Sequence, residues 1–208
     1  MPDLEQDSDR AAELCKQAQQ RLANRVSLLS EDDVRGSSRL RGWSVGHVLT
    51  HLARNADAHT RRLEGALTGN DVPKYLGCGA QRAAEIENGA ARPAAKIIAD
   101  LIASQECFAA AMDACSAQRW PHSKFLGGGH YGVGACPAHR LREVEMHHVD
   151  LGLGYTARDW PDEYVEWDLT ILLNTVPERL SSDIDRRNFM AWLAGRADTI
   201  PVLNLDAW

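Results

Sequence analysis

Apolar residues recur along most of this chain at spacings of three and four, and alternating apolar–polar segments are nearly absent. Leu14, Ala18, Leu22, Val26 and Leu29 mark one face of a helix predicted over 8–29. A polar loop over 30–41 follows. The next helix starts after Gly42-Trp43 with Ser44 as its N-cap. Its stripe is Val45, Val48, Leu49, Leu52, Ala56, Leu63 and Leu67, and Thr68-Gly69-Asn70-Asp71 ends it. A weaker helix is expected over 80–88. A long one is expected over 93–117, opened by Pro93 and lined by Ile97, Leu101, Ile102, Phe108 and Met112. Residues 121–134, rich in helix breakers, read as a loop or short hairpin. Pro137 opens a further helix that ends near Gly152-Leu153-Gly154. Two more are expected over 163–180 and 186–195, with Pro177 kinking or ending the first. The segment 200–208 is apolar without a helical period. The fold class is therefore mainly α, and a four-helix bundle is the economical way to bury four amphipathic helices.

Composition narrows the function classes. A chain of 208 residues allows one domain, or one domain with a smaller C-terminal appendage. Its 29 acidic and 23 basic residues give a formal charge of -6, without the basic excess that a phosphate backbone demands, so no nucleic acid is expected as partner. No apolar run approaches the roughly 20 residues of a membrane span, so no membrane partner is expected either. The first residues are acidic with no apolar stretch behind them, and a cytoplasmic protein is expected. Cys15, Cys78, Cys107, Cys115 and Cys136 are an odd, scattered set with no C-x-x-C, which argues against a disulfide framework or a cysteine zinc knuckle. They read as small hydrophobes, although Cys78 and Cys136 sit in Gly-rich stretches where exposure is expected.

The histidines cluster. On the second long helix His47, His51, Asn55 and His59 step by four, each step drifting about 40° around the helix. His51 and Asn55 border the apolar stripe, and His47 points more outward. On the helix after Pro137, Glu143 and His147 are also four apart, beside Val144 and Leu151. A carboxylate and an imidazole at i and i+4 share a face and can converge on one ion. A third ligand from a facing helix would make two His and one Glu around zinc, with an open position of the catalytic kind. Spacing alone leaves the neighbouring histidines as alternatives for that third ligand. The pattern is not H-E-x-x-H, and the glycine run 127–134 lacks the Gly-Lys-Ser/Thr ending of a phosphate loop.

Three segments resemble the mycothiol-dependent maleylpyruvate isomerase family, whose N-terminal domain is a DinB-like metal-binding four-helix bundle. They are Gly42-Trp43-Ser44-Val45-Gly46-His47-Val48-Leu49-Thr50-His51-Leu52-Ala53-Arg54-Asn55-Ala56, Arg142-Glu143-Val144-Glu145-Met146-His147-His148-Val149-Asp150-Leu151-Gly152 and Trp192-Leu193-Ala194-Gly195-Arg196-Ala197-Asp198. The resemblance implies a DinB-like bundle over 1–155 and a short, mostly helical C-terminal region over 156–208. It makes His51, Glu143 and His147 the ligands of Zn2+ or another divalent metal, with His47 and His148 as neighbours. It makes Arg196 the catalytic basic residue near substrate or thiol, a role its guanidinium fork suits because it pairs with carboxylates. Asn55 and Asp150 are expected to line the pocket, Asn55 on the side of the thiol cofactor.

The implied activity is cis–trans isomerisation of maleylpyruvate-like enone diacids by reversible addition of a small thiol, mycothiol or glutathione. Two other outcomes are open on the same site: a thiol S-transferase that conjugates an electrophile, and a non-enzymatic metal-binding module. The family's isomerase has a fuller C-terminal domain, with strands between its last helices. Here only the polar linker 181–187 joins the last two predicted helices.

Overall fold

The apolar stripes close on one another as helices in the computed structural model, which describes residues 3–74, 77, 79–121 and 131–203. In chain order these are α1 (Ser8–Val26), α2 (Glu31–Arg35), α3 (Val45–Leu67), α4 (Gly79–Ala90), α5 (Ala94–Ala117), α6 (Cys136–Asp150), α7 (Asp162–Arg179) and α8 (Asp183–Leu193). Among the described residues there is no β-strand, only a single bridge between Ser37 and Ser44. The chain divides into two compact units, Pro2–Tyr164 and Val165–Trp208.

The larger unit is a four-helix bundle in which α3 packs against α5 and α6, and α1 packs against the same two. Leu22 and Val26 of α1, Val48, Leu49, Leu52 and Leu63 of α3, Ile97, Leu101, Phe108 and Met112 of α5, and Leu141 and Val144 of α6 are all fully buried. Each such side chain contributes about 1.5–3 kcal/mol relative to exposure. The expected stripes are therefore core except at Leu29, Leu67 and Ile102, which are only half-buried. Ser44 caps α3 as its sequence position suggests, accepting from the His47 N–H while the Ser44 N–H donates to His47 Nδ1.

Three details differ from the sequence pattern. The first helix stops at Val26, and the predicted loop contains α2, because Ser30 and Asp33 form a reciprocal capping box that starts a new helix. Cys136 is fully buried rather than exposed, and burial pushes its thiol up to about 11. Pro177 lies inside α7 without ending it. It falls in the last turn, and Leu173, whose carbonyl it cannot bond, is exposed, so water can serve that carbonyl. Cys78, most of the glycine run and residues 204–208 lie outside the described residues.

Close approach fixes where α4 lies. A Cβ on Gly89 would come within 2.3 Å of Thr50 Cγ2, so only glycine lets α4 rest this tightly on α3. A Cβ on Gly65 would meet Val72 Cγ2 at 2.5 Å, so the chain can fold back over the end of α3 and return toward the bundle at Lys74. In the smaller unit Ser182 caps α8, accepting from the Asp185 N–H.

Candidate metal centre

Helices α3 and α6 bring the predicted ligands together. His51 Nε2 lies 3.0 Å from Glu143 Oε2, and His147 Nε2 lies 3.6 Å from the same oxygen. The two imidazole rings meet edge to face, with centroids 4.6 Å apart. One ligand atom from each of the three residues falls within 4.8 Å of the others. A tetrahedral ion with bonds of about 2.0–2.1 Å sets its ligand atoms about 3.3 Å apart, so the observed separations bracket what such an ion needs.

The surroundings decide how each ligand is presented. His147 Nδ1 donates to Asp150 Oδ2 at 2.8 Å, which leaves the Nε2 lone pair facing Glu143. Arg82 Nη2, carried over α3 by α4, sits 2.9 Å from His51 Nδ1. Because a guanidinium only donates, Nδ1 is the acceptor there and Nε2 carries the proton shared with Glu143. Lys74 Nζ approaches Glu143 Oε1 at 3.8 Å. Burial pushes the Glu143 carboxyl up, but the hydrogen bond and charge of His51, with Lys74 and His147, outweigh it and hold the group well below the usual carboxylate range. Burial likewise lowers His51, partly offset by Glu143.

A tight turn completes the wall. Trp43 packs on His51 with ring centroids 5.7 Å apart, held by its carbonyl accepting from the Ser38 N–H at 2.9 Å. In the same turn the Arg39 N–H donates to the Asp150 carbonyl at 2.8 Å, joining the entry of α3 to the end of α6. Two His and one carboxylate, one imidazole steadied by a second carboxylate, are the donor set of a divalent metal with an open position, and these residues fit one.

The other candidates fall elsewhere. His47 caps α3 and meets Glu87 Oε2 at 3.1 Å, so both of its ring nitrogens are engaged. His148 points away from the centre and stacks on Tyr155, centroids 3.8 Å apart. Asn55 is buried, and its Oδ1 accepts from Arg140 Nη1 at 2.9 Å. Arg196 belongs to the smaller unit, where it is exposed and its Nη1 donates to Ala194 O and Gly195 O just past α8. Lys74 and Arg82 escaped sequence reasoning, since neither lies on a stripe and the glycine-dependent turns that deliver them carry no local charge signal. The sequence marks His59 only as a member of a series stepping by four. The structure buries it completely.

The helical bundle has the DinB-like fold, and it carries a two-histidine, one-glutamate cluster that could hold a metal ion. The model of the mycothiol maleylpyruvate isomerase N-terminal domain matches residues 15–152, and the chain belongs to that family. Two crystal structures of the mycothiol-dependent maleylpyruvate isomerase, one a histidine-to-alanine mutant, match with a TM-score of 0.73 each. They are 25% and, for the mutant, 24% identical, and each match covers 80% of this chain and 70% of that one. The mutant's likeness speaks for the fold alone. The comparison with curated proteins finds no match. Among the described residues no helix is long and apolar enough to cross a membrane.

Proposed function

We propose that this protein is a zinc-dependent, thiol-assisted cis–trans isomerase of maleylpyruvate-like enone diacids, using mycothiol or glutathione. The observation that carries the reading is the meeting of His51, Glu143 and His147 in a chain whose family bears that reaction in its name. Held there, a divalent ion and a small thiol would supply a sulfur nucleophile whose reversible addition turns the cis double bond into a freely rotating single bond.

The chain's own residues prepare that chemistry. His51 and His147 present ring nitrogens and Glu143 balances charge, while Asp150 holds His147 in the tautomer that binds metal. Trp43 keeps water from one side of His51. Lys74 and Arg82 place two cationic side chains beside the ligands, where a dianionic substrate gains most from them. We assign metal binding to the bundle, residues 1–155, and carboxylate binding to Arg196 in the region 156–208. Asn55 is assigned to the pocket.

The family match ends at residue 152, so the part of the chain carrying Arg196 has no family signal behind it, and this favours keeping the S-transferase as a second reading. One experiment separates the outcomes. Protein purified without added metal is assayed for bound ion, alongside His51→Ala and His147→Ala, then given maleylpyruvate with limiting thiol. Turnover with the thiol recovered supports the isomerase. Stoichiometric loss of thiol supports the transferase. A loaded protein that turns over no electrophile refutes both and leaves a metal-binding module.

A further inference from the structure

Helix α3 does not stop being polar inside the bundle. Its residues His51, Asn55, His59 and Arg62, spaced by four, four and three, share one face. The drift of that face carries it steadily inward: the His47 and His51 side chains are 19% and 6% exposed, and Asn55 and His59 are 1% and 0% exposed. Arg62 is 5% exposed.

Beyond His51, each of these residues carries nitrogen with no hydrogen-bond partner. The atoms are Asn55 Nδ2, both ring nitrogens of His59, and Arg62 Nη1. Buried polar atoms in native interiors are nearly always satisfied, so this concentration on one helix face needs a polar occupant. The groups are rich in donors. The Asn55 carbonyl is taken by Arg140, which leaves its two amide hydrogens. Arg62 is anchored through Nη2 to the Tyr131 carbonyl at 2.8 Å and lies over the Tyr131 ring, which leaves Nη1 to give. Buried His59 stays neutral and offers one N–H. The cations Lys74 and Arg140 act on His59 from nearby, opposed by Glu143. An ionised carboxylate accepts only, on both oxygens, and matches this set, whereas an ammonium group meets Arg62 and finds almost no acceptors.

We propose that Asn55, His59 and Arg62 form a carboxylate subsite inside the bundle, one to three helical turns beyond the metal centre. It receives one acid group of a small dicarboxylate whose carbon chain runs back toward His51 and Glu143. Asn55 lies about 6 Å along the helix from His51, a distance that a chain of a few carbons bridges, and His59 and Arg62 lie one and nearly two turns further in. For the identity of the acid the proposal rests on the functional reading above, but binding itself needs no metal.

The test uses full-length protein stripped of metal with a chelator, with maleate as probe and dimethyl maleate as uncharged control. Calorimetry gives the affinity, and nitrogen NMR reports the His59 ring. Maleate is expected to bind and shift the His59 ring nitrogens, while the diester does neither. His59→Phe keeps the ring and its packing but removes both nitrogens, so it should weaken maleate by about tenfold or more while raising Tm. Asn55→Asp keeps an acceptor for Arg140 and sets a negative charge where the donors were, so it should abolish binding. No binding to the metal-free protein, equal binding of the diester, or affinity unchanged in both variants overturns the subsite and leaves buried water there. If maleate binds this way but maleylpyruvate is not turned over, the isomerase reading fails and the subsite stands. Turnover with an unmoved His59 gives the reverse.

Discussion

Helix α6 carries two Glu/His pairs, Glu143 with His147 and Glu145 with His148, and only the first joins a cluster that could hold a metal ion. At 100° per residue the two glutamates point about 160° apart, so the helix offers the same chemistry to two different neighbourhoods. Glu143 meets the imidazoles of His51 and His147 and the Lys74 ammonium, so an ion that displaces the proton between His51 and Glu143 would find three ligands together. Glu145, 1% exposed, is consumed by Arg21 and by the Tyr155 hydroxyl, and His148 is stacked flat on Tyr155. Ligand residue types at ligand spacing are therefore not enough. What distinguishes the two faces is whether the facing helix brings further ligands or brings partners that already use up the carboxylate.

That contrast can be broken at four points, from the largest effect down. His51→Ala or His147→Ala should lower metal affinity by more than about 100-fold, whereas His148→Ala should leave it unchanged, as metal titration by calorimetry would show. Equal losses in all three would mean that the two faces do not differ. Glu145→Ala removes the buried acceptor of Arg21 and of the Tyr155 hydroxyl and leaves a cavity, so chemical denaturation should show a loss of about 2 kcal/mol with metal affinity intact. Asp150→Asn, which releases the tautomer of His147, should weaken the ion by about tenfold without changing stability much.

The effect that is smallest at neutral pH shows only as a slope in pH. Burial lowers His148 to about 4, helped by Arg21 and Arg25 and opposed by Asp159. An unfolded chain takes up this proton near 6.5, while the folded protein does not until about 4. Stability is therefore full above 6.5 and falls as pH drops from there to about 4. In metal-free protein the Tm of His148→Phe should fall less steeply over that window, and a parallel curve would count against a neutral buried His148.

Much of this arrangement was legible in the sequence, for identifiable reasons. The stripes of α1, α3, α5 and α6 have the right period, and Ser44 and Pro137 stand where helices start. His51, Glu143 and His147 were reachable because each lies at the border of a stripe, where a polar side chain faces a neighbouring helix. The loop prediction over α2 failed because the reciprocal Ser30–Asp33 cap is a feature of two residues with no stripe behind it. His59 and Arg62 stayed hidden because a stripe read from apolar residues assigns polar ones outward, while the 40° drift turns this series inward. Lys74 and Arg82 depend on tertiary approach at Gly65 and Gly89, which no periodicity records.

The bond from the Arg39 amide to the Asp150 carbonyl has its own corollary. It ties the entry of α3 to the end of α6 through main chain alone, so a site for an ion between them would be assembled during folding rather than by the ion. The ordering entropy of the three ligands is then already spent when the metal arrives. Loading should resemble a key entering a finished lock, with helix content the same before and after.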